Sequence, residues 1–428
     1  MSKLKLNLLF LVLFFVFTQG MWERILFFLP EVTYIVDIAV VGFLLFQFRF
    51  STKTPGQKGF LLYLLIAFVI GISNNDSPTE IFLYTRFVVY TFLIYVQLYQ
   101  SNLEVQQWQR IFAFTFWLVV AQILGALYTL LILGEQVEGF VGLMSSNGGT
   151  TATVFPLLIS SLVFLYYLFR SKMGMKQWLM LGLIFASVFM VAYASGKRGI
   201  YFTVPAFFII TILLSFRTLF SNGFFQKKLV GISIIGVLIF PFLIYGIVNS
   251  RGLNYSLSGN ESYSEIIMNS FTFAEEYESA TDQYGRTIGR SNTTAQILDK
   301  SLGDEQLFIS GAGYGTTKEE STMLRLGYGY GIVGFTRDIV SAGWIYSIMT
   351  VVLISGIILR NRSYKLGITK VARRLILLIF LYTHLFYSSD LTVSLKINLV
   401  IVLLLALINS PVHKQACLQI LQQHKLIK

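Results

Sequence analysis

The sequence predicts an all-α, polytopic membrane protein with about 12 transmembrane helices and one large extracytoplasmic loop. Three observations carry this. Hydrophobic residues make up 55% of the 428 and charged residues only 13%, against about 25% charged in a typical soluble domain. Mean hydropathy is +0.68. The apolar residues fall in runs of a length that crosses a hydrocarbon core of about 30 Å. Such a composition cannot clothe a soluble surface, so a soluble enzyme, a secreted disulfide scaffold and a nucleic-acid binder are excluded.

The runs fall at 6–22, 32–48, 60–72, 81–99, 111–133, 151–169, 178–194, 200–216, 229–248, 342–359, 375–386 and 393–408. Two-residue alternation does not recur, which argues against an outer-membrane barrel. This divides the chain into nine helices over 1–248, an outer loop over 249–341, three helices over 342–410 and a tail over 411–428. Loop charge orients it. With the N-terminus in the cytoplasm, 21 of the 33 Lys and Arg lie on that side, among them Arg373, against the single carboxylate Glu104. The outer side holds 10 Lys or Arg and 19 Asp or Glu. Asp37, Arg86 and Lys396 fall inside spans. The net charge of +12 is therefore a positive-inside signal and calls for no nucleic acid. Both termini are expected in the cytoplasm. Lys3 and Lys5 before an apolar run suit a signal peptide, but Thr18-Gln19-Gly20 is a poor cleavage site, so a retained first helix is expected. Cys417 is the one cysteine, which excludes a disulfide within the chain.

A loop as long as 249–341 is usually functional. It contains no proline, and 291–302 and parts of 261–282 are expected to form surface helices. Five groups could carry chemistry. Ser195-Gly196-Lys197-Arg198-Gly199 puts two cations in a tight outer turn, where Arg198 could grip phosphate oxygens bidentately and Lys197 act as a point charge. Arg86 lies inside a span, and an ionisable residue there is a functional candidate. Arg286 and Arg290, four apart, share a helix face and could neutralise a diphosphate, or pair with upstream acids such as Asp282. Gly311-Ala312-Gly313-Tyr314-Gly315 is a glycine-rich hinge followed by Glu319, Glu320, Arg325 and Asp338; the three carboxylates are the candidates for a general base. Asp390 and Lys396 could pair near the outer surface, and His384 reads as a core histidine. No His, Cys and carboxylate spacing suggests a metal, so neither metal nor cofactor is expected.

The layout and four short motifs resemble the O-antigen polymerase (Wzy-type) family, within the group that includes O-antigen ligases. The motifs, in order, are Ser145-Ser146-Asn147-Gly148-Gly149-Thr150, the Ser195–Gly199 turn, Gly311–Gly315 and Gly331-Ile332-Val333-Gly334. The resemblance implies metal-independent glycosyl transfer at the outer face of a bacterial inner membrane. The donor is a glycan on undecaprenyl diphosphate and the acceptor a repeat unit on a second one. It further implies that Lys197, Arg198, Arg286 and Arg290 hold diphosphates and that Glu319 or Glu320 activates the acceptor hydroxyl. Membrane lipids and a chain-length regulator protein are the implied partners. The ligases carry a histidine in the large outer loop; this chain has none between Asn249 and Ser341, which favours a polymerase. A ligase-type glycosyltransferase, a flippase for lipid-linked sugars and an inactive scaffold are the alternatives.

Overall fold

A computed structural model describes residues 3–26, 34–45, 54, 56–132, 134, 142–144, 151–197, 199–220, 244–245, 280–329, 331–359, 366–387 and 394–426. The expected span 229–248 lies almost wholly outside them, as do the 145–150 motif, Arg198, Asp390 and the segment 261–279. The described residues are helical, apart from turns and two isolated bridges, Thr281 with Thr287 and Thr287 with Tyr328.

Among the described residues, eight helices precede the loop: α1 Lys3–Ile25, α2 Ile35–Leu45, α3 Gln57–Ser73, α4 Pro78–Gln100, α5 Val105–Leu131, α6 Thr151–Phe169, α7 Met175–Ala194 and α8 Gly199–Phe220. Then come α9 Arg290–Gly303, α10 Glu305–Ile309 and α11 Glu320–Leu326. The chain closes with α12 Gly334–Leu359, α13 Gly367–Tyr382, α14 Leu395–Asn409 and α15 Lys414–Gln423. Among the described residues, seven helices are long and apolar enough to cross a membrane, or eight if α14 and α15, bent by 105° at their junction, form one span. Helices α2 and α3 are apolar but shorter. The chain is thus an all-α, multi-pass membrane protein. Leu61, Leu65, Phe68, Leu124, Leu131, Ile209 and Leu213 point outward on three of the helices, a surface suited to lipid rather than water.

Helix starts follow local chemistry. At α4, Ser77 and Glu80 form a capping box: the Glu80 amide donates to Ser77 Oγ and the Ser77 amide to Glu80 Oε2, with Pro78 in the first turn. Helix α14 is buried at 13 of its 15 residues, which makes it the centre of the bundle, packed on α1, α4, α6 and α13.

Helix α12 is broken. Gly343 has φ 78° and ψ 178°, so the residues before it form a separate half-helix. The break frees two carbonyls, and the glycine-rich loop takes them: the Ala312 amide donates to Val340 O at 2.6 Å and the Gly313 amide to Ser341 O at 3.2 Å. The fit is backbone against backbone. A Cβ on Gly343 would lie 2.6 Å from Ile309 O, and one on Gly311 would meet the main chain of residues 341–343. Above this joint, Ile297, Leu307, Leu326, Tyr328, Ile339 and Val340 form a small core. Full burial of each aliphatic chain there contributes about 1.5–3 kcal/mol. The expected helix over 291–302 is α9.

At the other end, α14 turns into α15 around His413, whose ring meets Ala406 O and Ser101 O. Arg373 corrects an expectation. It is not in a loop: α13 begins at Gly367, and the guanidinium is buried, donating from Nε to Asn409 Oδ1 at 3.0 Å and from Nη2 to Ile408 O at 2.8 Å. It caps the C-terminus of α14, where a cation is favoured. Hydrogen bonds to a charged group are worth about 1.5–3 kcal/mol each. Arg373→Ala is expected to destabilise the protein by about 3 kcal/mol, read as a lower melting temperature in detergent; an unchanged midpoint would show that the cap contributes nothing.

Candidate functional site

Three elements bring polar side chains together inside the bundle, at the end opposite His413. Helix α4 runs from Pro78 toward the Ser101–His413 contact and carries Tyr84 near its start. The first half of α12 carries Arg337 and Asp338. Helix α13 ends in a π-helical turn, Thr383–Tyr387, that carries His384.

Asp338 and His384 are fully enclosed, at 1% and 0% exposure. The Tyr84 hydroxyl donates to Asp338 Oδ1 at 2.8 Å. The other oxygen, Oδ2, lies 3.6 Å from His384 Nε2. That is too long for a hydrogen bond, and among the described residues Oδ2 and both imidazole nitrogens have no hydrogen-bond partner. Three buried polar atoms left open in one place are unusual, because each costs about 1–3 kcal/mol. The Arg337 guanidinium stacks over the Tyr84 ring at 4.8 Å. Tyr314 of the glycine-rich loop packs on Tyr84, with ring centroids 4.7 Å apart, and Tyr63 and Tyr346 hydrogen-bond to each other beneath. On the far side of the π-helical turn, Arg290 stacks over the Tyr387 ring at 4.5 Å and donates from Nε to Tyr387 O at 3.2 Å. The Tyr387 hydroxyl reaches Thr153 Oγ1 at 2.6 Å. Among the described residues, neither Arg290 nor Arg337 forms an ion pair.

The other sequence candidates are dispersed. Arg86 pairs with Asp37 of α2 at 3.0 Å. Arg286 is bound by Asp282 at 2.6 Å, the local pairing left open from the sequence, and also by Glu320. Burial works to raise the Asp282 pKa. Hydrogen bonds from the Arg286 amide and guanidinium and from the Tyr284 amide outweigh it and hold the carboxyl below the usual range. Glu319 and Glu320 are exposed around the start of α11, and Arg325 is exposed in its last turn. Lys197 is half-buried in the turn between α7 and α8, and Lys396 half-buried in the first turn of α14.

Of the predicted residues, then, Arg290 and Asp338 border one site, and His384, Tyr84, Arg337 and Tyr387 complete it. The only sequence signals for these four were a charge next to Asp338 and a histidine near the end of an apolar run. The arrangement pairs an open carboxylate oxygen with an open imidazole, two groups able to take or pass a proton, and flanks them with guanidinium groups suited to phosphate oxygens. Among the described residues no three His, Cys, Asp or Glu side chains converge as metal ligands. No family model, curated protein or solved structure matches the chain.

Proposed function

We propose that the chain is a polymerase of a surface polysaccharide such as O-antigen, joining undecaprenyl-diphosphate-linked repeat units at the outer face of a bacterial inner membrane. One observation carries the reading: Arg290 and Arg337 flank the π-helical turn whose His384 faces the open oxygen of Asp338. Loop charge assigns this end of the bundle to the outer side, where lipid-linked repeats are presented.

In this reading an acceptor sugar hydroxyl gives its proton to Asp338 Oδ2, and its oxygen bonds to the anomeric carbon of the donor. The bond from that carbon to the diphosphate oxygen breaks, and the electron pair leaves with the lipid diphosphate. Arg290 and Arg337 offset the charge that develops there. His384, whose Nε2 lies 3.6 Å from that oxygen, carries the proton onward. Enclosure keeps water from competing with the sugar hydroxyl. The π-helical turn, a geometry frequent at functional sites, is the part that yields to admit the acceptor.

The test is deletion of the gene in its native host, with analysis of surface glycan and lipid-linked intermediates. Lipid carrying a single repeat, with no ladder, is the expected result. Full-length chains left on undecaprenyl diphosphate would establish a ligase instead. Repeats trapped on the cytoplasmic face would establish a flippase and end the enzyme reading.

A further inference from the structure

A cavity of about 690 Å³ lies at the opposite end from Asp338, walled by α5, α6, α7, α13, α14 and α15. Its depth is apolar, with Phe112, Leu165, Ile184, Ala372 and Leu404 among the walls. Its polar groups gather at one end, where Gln109, Arg170, Lys176, Gln177, Gln423 and His424 meet at the termini of their helices. Such a cavity has the shape of a lipid: a dry interior opening on a basic rim.

Arg170 sharpens this. It is 7% exposed and follows the last residue of α6. Its guanidinium donates from Nε to Lys172 O at 2.8 Å and from Nη1 to the Tyr166 hydroxyl, with His424 Nδ1 at 3.5 Å. The Lys172 carbonyl and the Tyr166 hydroxyl carry no charge, and burial and the guanidinium charge hold the His424 pKa below its usual value. Among the described residues no carboxylate pairs with Arg170. The α6 C-terminus offers it only about half a negative charge, and an enclosed cation with neutral neighbours favours an anion. Lys176, exposed on the same rim, adds a second positive charge.

We propose that this cavity binds one anionic glycerophospholipid of the leaflet next to it, with an acyl chain along the α5–α6–α13–α14 walls and the phosphate on Arg170 and Lys176. The choice of an anionic over a zwitterionic lipid rests on the two cations. It does not depend on the polymerase reading.

The experiment adds phosphatidylglycerol or phosphatidylcholine back to delipidated protein and counts retained lipid by native mass spectrometry. Phosphatidylglycerol is expected to be retained at about thirtyfold lower concentration than phosphatidylcholine. Lys176→Gln, at an exposed position, should remove about half of that preference on a logarithmic scale while leaving the elution profile unchanged. Arg170→Gln should remove about the other half. Equal retention of both lipids, retention of neither, or retention only of a polyprenyl phosphate would each overturn the proposal.

Discussion

Asp338→Asn is expected to lower polymer formation by about 100- to 10,000-fold, the range that general acid–base groups contribute. The amount of protein in the membrane should stay at the wild-type level. The substitution keeps the shape of the side chain, and an amide oxygen can still accept from the Tyr84 hydroxyl, now 2.8 Å away. What goes is the lone-pair site at Oδ2 that faces His384. An amide presents N–H there and cannot take a proton from a sugar hydroxyl. Arg337, the preceding residue, is only half-buried and stacks on Tyr84, so loss of the carboxylate does not strand that charge inside the bundle. The measurement is extension of a lipid-linked repeat by protein reconstituted in vesicles. Tyr84→Phe, which removes the hydroxyl alone, should cost far less. A folded Asp338→Asn protein with undiminished activity would remove Asp338 from the chemistry.

Gly343→Ala should largely abolish accumulation of folded protein. Its backbone angles, φ 78° and ψ 178°, fall in a region that is essentially glycine-only and costs other residues about 1–3 kcal/mol. Contact adds to strain, since the new Cβ would press on the Ile309 carbonyl, a main-chain group held by the helix before it. Relief requires the glycine-rich loop to lift from the break, which breaks the Ala312 and Gly313 bonds to Val340 and Ser341. Gly311→Ala should behave alike, because its Cβ would meet the main chain of 341–343. Gly356→Ala is the control: it lies in the same helix, and its Cβ would meet nothing within 4 Å. Fluorescence-detected size exclusion and thermal melting separate the three variants. A Gly343→Ala protein that melts like wild type would show that the joint does not hold the fold.

Helix positions were readable from the sequence because apolar content is a local property. The run beginning at Ala342 coincides with the inner half of α12, starting at the break. The outer half was missed since Thr336, Arg337 and Asp338 interrupt its apolar pattern. The same blindness put Arg373 in a loop: Lys370, Arg373 and Arg374 lower the hydropathy of a segment that is already helical. Pairings close in sequence were visible, as with Asp282 and Arg286. Those across the bundle were not. Arg86 and Asp37 stood out as charges within apolar runs, yet their contact joins α2 to α4, and nothing near His384 announces a carboxylate 46 positions earlier. A lone histidine in an apolar run looks the same whether its neighbour is a leucine or an aspartate.

The glycine-rich loop also docks on much older chain. Asn74 Nδ2 donates to Ser310 O at 2.7 Å, Asp76 Oδ2 accepts from the Tyr314 amide at 3.0 Å, and the Tyr314 hydroxyl donates to Ala67 O at 2.9 Å, with partners 236 to 247 residues apart. At about 5–20 residues per second, the hairpin of α3 and α4 waits roughly 10–50 s for a ribosome to deliver its partner. Membrane insertion of that hairpin therefore precedes the contacts that fix its outer tip, and Tyr84 acquires its carboxylate only after three-quarters of the polypeptide has been made. Assembly of the site is a late event in biogenesis, set by the order of translation.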